Sequence, residues 1–324
     1  MIKKFLQKIF KTVSYKLFIL LYGKVTYFNN NEKNKKIRIN NIKIDKENLI
    51  YKIYDISNGR LYTDRIQDTA IIYDNKIVEG ASFQLRYTTT KDLKIYNAKV
   101  QENFVLKNGT PRILKKLNGS VLSLLTGGAG NKNYHHWMYD VLPRLSLCSK
   151  IFDLNEIDFF LLPDLSLNFQ NETLDILNIP KHKRLSSKEY RHIKAKKIIV
   201  TDHPYVVTNN STKDILNIPN WINIWLKKNF IKTSERREKK KFYIDRGDKK
   251  NNKPAHREIS NEDEIREYLL KNNFEAIKLQ NIPFSQQVIL FNNANIIIGL
   301  HGAGLANLVF CKPETKVIEL RRSV

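Results

Sequence analysis

The stretch "NIIIGLHGAGLANLVF", residues 295–310, places three glycines around one histidine in a chain with only twelve glycines among its 324 residues. Its first residues form an apolar run without polar alternation, which is typical of a strand buried on both faces. The apolar run behind the glycines favours a helix, which Pro313 would end. We therefore expect Gly302 and Gly304 at a strand-to-helix turn, where glycine admits a ligand close to the backbone and accepts a positive φ.

The sequence around this turn predicts an α/β fold. Upstream, "KFYIDRG", "SNEDEIREYLLKNN", "FEAIKL" and "PFSQQVILFNNA" predict a strand, a helix, a strand and a helix, and "TKVIEL" follows the turn as a further strand. This βαβαβ series is half of a doubly wound domain. Earlier strand-like runs, among them "TAIIYDNKIV", "SVLSLLTG" and "AKKIIVTD", alternate with helical stretches and indicate more α/β layering.

The position of the turn favours an anionic ligand. Open α/β sheets bind ligands at the carboxyl ends of their strands, and the amides of a helix N-terminus attract a diphosphate. His301 could donate to a phosphate oxygen or could hold the loop through a backbone hydrogen bond. Glu319, at the end of the next strand, is placed to accept from ribose hydroxyls. The glycine pattern is not GxGxxG, so a nicotinamide cofactor has no direct support.

Two arginines lie in the polar loop upstream of these elements. Arg246 follows a predicted strand, and Arg257 precedes a predicted helix. Together they could clamp a pyrophosphate through paired hydrogen bonds. Surface salt bridging is the alternative for either one taken alone.

A second constellation lies in "SVLSLLTGGAGNKNYHHWMYDVLPRL", residues 120–145, where a strand and a glycine-rich loop precede a predicted helix. His136 and Asp140 are four residues apart, so they would share one helix face. A carboxylate that orients an imidazole is a general-base arrangement. A buried structural pair is the alternative, and Pro143 predicts a kink in the helix.

These motifs together resemble glycosyltransferase family 61. "NYHHWMYDVLPRL" is similar to that family's N-Y-x-H-W-x-x-D-x-L-P-R-L stretch, and "YIDRG" with "FSQQVILFNNANIIIGLHGAGLANLVFCKPETKVIEL" resembles its C-terminal block. The resemblance covers residues 119–150 and 241–320 well and 151–240 loosely. It implies a GT-B-like fold, with two Rossmann-like domains facing across a cleft. It also implies an inverting, metal-independent reaction, and the sequence has no Asp-x-Asp that would hold a metal–diphosphate.

Carried onto this chain, the resemblance assigns roles to the residues singled out above. The C-terminal domain would hold a nucleotide sugar, with its diphosphate cradled by His301, Gly302, Ala303 and Gly304. Glu319 would bind the ribose.

The same resemblance places the two arginines and the catalytic groups. Arg246 and Arg257 would lie near the diphosphate. The N-terminal domain would bring the acceptor, and the catalytic base would be Asp140 or His136, with Asp140 slightly favoured. The implied function is sugar transfer from a nucleotide sugar, with UDP as the expected nucleotide, onto a glycan or lipid-linked acceptor during capsule or lipopolysaccharide synthesis.

Three segments are expected along the chain. Residues 1–27 form a basic amphipathic segment, residues 28–235 an acceptor-side α/β domain, and residues 236–324 the nucleotide-sugar domain. The junction follows from the dense charges of "KKNFIKTSERREKKK", residues 227–241. Because family members usually continue well beyond the "VIEL" strand, the C-terminal domain is expected to be truncated.

Charge and cysteine content bear on partners and location. The net charge of +24 favours anionic partners. The alternative is that a codon bias toward lysine, unrelated to binding, produces part of this positive charge. The first helix suits an anionic membrane surface, while packing on the domain core is the alternative. Two isolated cysteines fit a reducing compartment and argue against zinc. The expected location is the cytoplasm, at the inner face of the membrane, with no cofactor besides the donor.

Rival functions remain open from sequence. An oxidoreductase would need a glycine fingerprint that is missing. A nucleic-acid-binding protein would fit the charge, yet the sequence has no basic stripe interleaved with aromatics and no helix-turn-helix or zinc spacing. A catalytically impaired nucleotide-binding scaffold would follow from the truncation.

Overall fold

The computed structural model describes residues 2–27, 35–44, 48–87, 95–125, 131–205, 217–232, 240–245, 259 and 261–321. Within them the chain is mixed α/β, as predicted, and it divides into two compact units. Unit 1 comprises Met1–Lys132, Tyr139–Leu165 and Pro180–Ile222, and unit 2 comprises Asn133–Met138, Ser166–Ile179 and Asn223–Val324.

The described elements are as follows. The strands of unit 1 are β1 (Thr26–Tyr27), β2 (Ile37–Ile44), β3 (Leu49–Ser57), β4 (Arg60–Thr63), β5 (Asp68–Tyr73), β6 (Lys76–Ile77), β7 (Phe83–Tyr87), β8 (Ile95–Asn97), β9 (Lys115–Ser123), β10 (Phe159–Leu162), β11 (Arg184–Ser186) and β12 (His192–Thr201). Those of unit 2 are β13 (Lys240–Ile244), β14 (Glu275–Ile277), β15 (Ala294–Leu300) and β16 (Lys316–Leu320). The α-helices are α1 (Ile2–Tyr22), α2 (Phe104–Asn108), α3 (Tyr134–His136), α4 (Pro143–Cys148), α5 (Asn168–Ile176), α6 (Asn220–Phe230), α7 (Glu262–Lys271) and α8 (Phe284–Asn292). A π-helical segment spans Trp137–Val141, and 3-10 helices span Val100–Glu102, Leu154–Glu156, Lys181–Lys183, Leu279–Asn281 and Ala303–Phe310.

Unit 1 is built on a mixed sheet of β1–β12 with a parallel section in the order β12-β9-β10-β11. The chain leaves β9 toward β10 and β11 on one side and returns as β12 on the other side. The strand order therefore reverses between β9 and β12. The antiparallel strands β3 and β4 pair with the outer side of β12. Its core contains fully buried aliphatic side chains from several strands, including Ile56, Leu61, Ile71, Val121, Leu161 and Ile198.

Unit 2 has a parallel sheet in the order β14-β13-β15-β16. This confirms the predicted βαβαβ series and its closing strand. The chain leaves β13 toward β14 on one side and returns as β15 on the other, so here the order reverses between β13 and β15. The ring of Phe242 on β13 packs edge-on against Phe291 of α8, with centroids 5.2 Å apart.

The first helix forms as predicted and packs on unit 1 through one side of its second half. Tyr15 lies edge-on to Phe104, and the Tyr22 hydroxyl accepts a hydrogen bond of 3.1 Å from the main-chain N–H of Leu114. Ile19 lies against Gly109, whose φ of +64° and close approach to that side chain both require glycine. In the described part of the chain, no helix is both long enough and apolar enough to cross a membrane.

The division into units differs in detail from the predicted segments. The last junction falls between Ile222 and Asn223 instead of near residue 235, and two short earlier segments belong to unit 2. The assignment of the units to acceptor and donor binding stays a prediction.

His192 ties the end of α1 to the sheet of unit 1. Its buried ring lies nearly perpendicular to Tyr22 and Tyr62, with centroids 5.0 and 5.9 Å away, and Nδ1–H donates to the Arg112 carbonyl at 2.8 Å. Burial, which disfavours the charged imidazolium, lowers the pKa of His192 to about 4, against a weaker opposing effect of that hydrogen bond.

This burial predicts a loss of stability in mild acid. Between the ordinary histidine pKa and the lowered one, the unfolded chain binds a proton that the folded chain does not. The contribution of His192 to the free energy of unfolding should therefore fall as pH drops from about 6.5 toward 4, by at most about 1.4 kcal/mol per pH unit. Denaturant unfolding as a function of pH measures this slope. In His192→Gln the slope should be smaller, and an unchanged slope would contradict the assignment.

Candidate functional site

The glycine turn lies in unit 2, where it follows β15 at the point at which the strand order reverses. Gly302 has a φ of 164°, which is ordinary extended backbone, so the positive φ allowed for in the sequence analysis is not used. A Cβ on Gly304 would lie 3.1 Å from a methyl of Leu279, which makes this glycine a close-packing residue. The residues that follow form a 3-10 helix, Ala303–Phe310, instead of the predicted α-helix.

The structure brings together two of the predicted nucleotide-binding residues. His301 Nδ1 lies 2.6 Å from Glu319 Oε1, and the main-chain N–H of His301 donates to the carbonyl of Leu320 at 2.9 Å. Arg321 Nε donates to the other carboxylate oxygen of Glu319 at 2.6 Å. Burial tends to raise the pKa of Glu319, but the hydrogen bonds and charges of His301 and Arg321 outweigh it, so the pKa lies below its ordinary value.

This contact follows from strand register. Gly299 on β15 pairs with Glu319 on β16. His301, two residues after Gly299, therefore lies at the same end of the sheet as the Glu319 carboxylate and contacts it. The His301 side chain is 52% exposed and that of Arg321 is 71% exposed. The trio therefore presents an imidazole and a guanidinium to solvent beside the glycine turn.

Asn307 joins the two sequence motifs inside unit 2. Its side chain is fully buried, and its Oδ1 accepts a hydrogen bond of 2.5 Å from the Tyr134 hydroxyl. Its Nδ2 donates to Gln287 Oε1 at 2.9 Å and to the Gly304 carbonyl at 3.3 Å. Helix α3 packs on the 3-10 helix through this link. Hydrogen bonds of the Asn307 side chain therefore join the "NYHHW" segment to the "LHGAGLAN" segment.

Two further contacts hold the early segments in unit 2. Trp137 is buried, and its Nε1–H donates to Thr173 Oγ1 on α5 at 2.9 Å. Glu172, also on α5, accepts hydrogen bonds from the main-chain N–H groups of Phe284 and Ser285 at 2.6 and 2.8 Å. A carboxylate at the N-terminus of α8 satisfies unpaired amides and complements the helix dipole.

His136 and Asp140 belong to different units. His136 ends α3 in unit 2, where its main-chain N–H donates to the side chain of Asn133 at 3.3 Å. Asp140 lies in the π-helical segment and in unit 1. The regular α-helical spacing assumed from sequence does not continue through this segment, because Pro143 has no N–H to donate and a new helix begins there instead.

The carboxylate of Asp140 is engaged within unit 1. It is only 2% exposed, its Oδ1 accepts a hydrogen bond of 2.7 Å from the Tyr205 hydroxyl, and its Oδ2 lies 3.6 Å from His203 Nε2. Arg144 Nε donates to the Asp140 carbonyl at 3.0 Å. Burial lowers the pKa of Arg144 to about 10, although nearby Asp140 partly offsets this effect.

The structure tests neither the two predicted arginines nor the predicted metal independence of the reaction. Arg246 and Arg257 lie outside the described residues. Among the described residues, no group of three or more His, Cys, Asp or Glu side chains could hold a metal ion. Metal independence stays a prediction.

Comparison with known proteins identifies the family. The profile described as Glycosyltransferase 61 matches residues 134–318, more than half of the chain, from Tyr134 to one residue before Glu319. The chain belongs to glycosyltransferase family 61. This confirms the resemblance stated from the two motifs.

A curated relative of this family 61 chain is the EGF domain-specific O-linked N-acetylglucosamine transferase of Drosophila melanogaster. It is 34% identical over 68 residues, which is 20% of this chain and 13% of the fly protein. The comparison therefore covers a short part of both proteins.

Sequence reasoning missed several residues that contact the predicted ones in each unit. Arg321 follows Glu319 by two positions and could have been noted as a cation at the end of a strand. Tyr205 and His203 carried no signal, because they reach Asp140 only through the folding of β12 beside β9.

The link between Tyr134 and Asn307 predicts a measurable stability cost. Tyr134→Phe leaves a buried amide oxygen without its donor, which should lower the free energy of unfolding by about 1–3 kcal/mol. Tyr268→Phe, at a tyrosine that is 66% exposed, is the matched control and should change it by less than about 0.5 kcal/mol. Denaturant titrations measure both variants, and equal stabilities would show that the link carries no energy.

Proposed function

We propose that this protein transfers a sugar from a UDP-linked nucleotide sugar to a glycan or lipid-linked acceptor in surface polysaccharide synthesis. The observation that supports this most is the family 61 match, which includes the glycine turn and the His301 that follows β15. We assign the two units to the two Rossmann-like domains of a GT-B enzyme that inverts the anomeric centre without a metal. Capsule and lipopolysaccharide are the proposed products.

The donor diphosphate is proposed to bind at the glycine turn of unit 2. The turn lies at the carboxyl end of a parallel strand where the strand order reverses, which is where open α/β sheets bind ligands. His301 and Arg321 can donate to phosphate oxygens from the solvent side of the turn. In this proposal they counter the negative charge that develops on the leaving diphosphate. Arg246 and Arg257 are proposed to add to this charge.

Glu319 is proposed to orient His301 as well as to accept from ribose. Its Oε1 contacts His301 and its Oε2 contacts Arg321, so the carboxylate fixes both the imidazole and the guanidinium. A carboxylate that accepts from one imidazole nitrogen leaves the other nitrogen directed elsewhere. This supports His301 as a phosphate ligand.

The contacts of Asp140 favour a positioning role for it and a base role for His136. Asp140 is almost fully buried and accepts from Tyr205, whereas His136 is partly exposed on α3, the helix that packs on the 3-10 helix after the turn. In the proposed step His136 takes the proton of the acceptor hydroxyl. The acceptor oxygen forms a bond to the anomeric carbon, and the bond from that carbon to the diphosphate breaks.

Nucleotide binding should raise the melting temperature. At about 100 times its Kd, UDP should stabilise the protein by about 2.7 kcal/mol. Glu319→Ala removes charge-assisted hydrogen bonds and should weaken UDP binding by about 10-fold or more. A thermal-shift titration with UDP and with a panel of UDP-sugars measures both effects.

The matched control is Glu314→Ala, at an exposed residue of the turn before β16. It should bind UDP as the wild type does. Stabilisation by no nucleotide would contradict the proposed function. Salt-dependent binding to DNA without any nucleotide effect would favour the nucleic-acid alternative, and nucleotide binding without any sugar transfer would favour the scaffold.

We also propose that α1 rests on an anionic membrane surface. Its exposed apolar side chains recur at alternating intervals of four and three residues, which places them on one face: Leu6, Phe10, Val13, Leu17 and Leu20. The helix carries lysines and no acidic residue. Since Tyr15, Ile19 and Tyr22 pack on unit 1, that apolar face points away from the unit. Apolar insertion combined with lysine attraction to anionic lipid suits such a helix.

Replacing Phe10, Leu17 and Leu20 by serine should release the protein from membranes. Binding to vesicles that contain anionic lipid should weaken at least about tenfold, because the inserted apolar area is lost. Sedimentation with anionic vesicles and with neutral vesicles measures the effect, and wild-type binding should fall as salt rises.

The control variant replaces three exposed isoleucines elsewhere in unit 1, Ile39, Ile66 and Ile113, by serine. It should sediment with anionic vesicles as the wild type does. Failure of the wild type to bind anionic vesicles, or equal loss in both variants, would refute the membrane proposal.

A further inference from the structure

Unit 1 contains a cavity of about 550 Å³ at its own strand-order reversal. Ser123 is the last residue of β9, and Thr201 is the last residue of the adjacent parallel strand β12; both line the cavity. This is the position at which a doubly wound sheet binds a ligand. The cavity is distinct from the glycine turn, which lies in unit 2.

One buried hydroxyl in this cavity has no hydrogen-bond partner within the part of the chain that the structure describes. Ser123 is 1% exposed, and its Oγ finds no hydrogen-bond partner among the described residues. A buried hydroxyl without a partner costs free energy, so such groups usually meet a ligand or an ordered water. Since Ser123 lines the cavity, the partner would come from there.

Charged groups of both signs lie in the cavity wall. Arg144 is buried, and its Nη1 donates to the Thr201 carbonyl at 3.1 Å. Asp202 follows directly and accepts a hydrogen bond of 2.7 Å from the main-chain N–H of Lys52. Burial raises the pKa of Asp202, against smaller opposing effects of Lys52 and Arg144. With one cation and one anion, these groups favour a neutral ligand that both donates and accepts hydrogen bonds.

Aromatic rings also line the cavity. His203 stacks on Phe83 with centroids 6.1 Å apart and an interplanar angle of 14°, and it meets the edge of Tyr205 at 4.5 Å. His203 Nδ1–H donates to the Tyr205 carbonyl at 2.8 Å. Asp140 accepts from Tyr205 and faces His203, so this carboxylate fixes the ring positions from behind.

We infer that this cavity is a binding site for a neutral, hydroxyl-rich saccharide, recognised by Ser123 and Asp202 and packed against Phe83 and Tyr205. Aromatic faces cover the apolar face of a sugar ring, while hydroxyl and carboxylate groups meet its hydroxyls. The choice of a saccharide rests on the proposed function and assigns the end of the acceptor glycan to unit 1. Asp140 is a positioning residue in this site.

Ser123→Ala distinguishes a ligand contact from a structural one. The Ser123 hydroxyl makes no bond within the described protein, so its removal should leave the melting temperature unchanged or slightly higher. Saccharide affinity should fall about three- to tenfold, the value of one hydrogen bond. Calorimetry and saturation-transfer NMR with methyl glycosides and disaccharides of common hexoses and N-acetylhexosamines measure the binding.

Ser120→Ala is the matched control. Ser120 lies three residues earlier on β9 and bonds Asp158 instead of facing the cavity. It should bind the saccharide probes as the wild type does, although it loses stability. A second variant, Asp202→Asn, keeps the shape of the wall and should also weaken saccharide binding.

The outcomes separate this inference from the proposed function. Weaker saccharide binding in Ser123→Ala and Asp202→Asn, with Ser120→Ala unaffected, supports the site. Equal affinities in all proteins would overturn it. If no saccharide of the panel binds while UDP still stabilises the protein, the inferred ligand class is wrong and the nucleotide proposal stands. If neither binds, both are overturned.

Discussion

The buried side chain of Asn307 is the constraint on which the nucleotide-sugar proposal depends. A fully buried amide must find partners for its oxygen and its N–H groups, and here they are Tyr134, Gln287 and the Gly304 carbonyl. These partners come from the two motifs and from helix α8. One side chain therefore fixes the glycine turn, the segment that carries His136 and a helix beside them. Movement of any one of them would leave a buried polar group unpaired.

Both units have a point at which the order of parallel strands reverses, but the residues that lie there differ in chemistry. In each, parallel strands diverge from one strand pair, β9 with β12 in unit 1 and β13 with β15 in unit 2. The reversal in unit 2 is followed by a turn with His301, and Arg321 lies beside it at the end of the next strand, which suits phosphate. The reversal in unit 1 ends in a cavity with aromatic rings, a serine hydroxyl and opposite charges, which suits a neutral polyhydroxyl ligand. This division of chemistry agrees with a donor site and an acceptor site on separate units.

Much of unit 2 could be predicted from sequence because its signals are local. An unbroken apolar strand, a glycine turn and a helix with regular apolar spacing are each short-range patterns, and their order predicts the parallel sheet. The contacts that decide the site are long-range. His301 meets Glu319 only because of the register of β15 and β16, and Asp140 meets Tyr205 only when β12 lies beside β9. The π-helical segment escaped prediction because the motif around it has ordinary helical periodicity. The 3-10 helix after the turn likewise has no distinct residue pattern.

The most direct test of the central claim is amide hydrogen exchange with and without UDP. If the glycine turn binds the diphosphate, exchange should slow at residues 301–305 and at residues 319–321, since these amides flank the proposed phosphate and ribose contacts. Protection confined to other regions, or no protection at saturating UDP, would contradict the account.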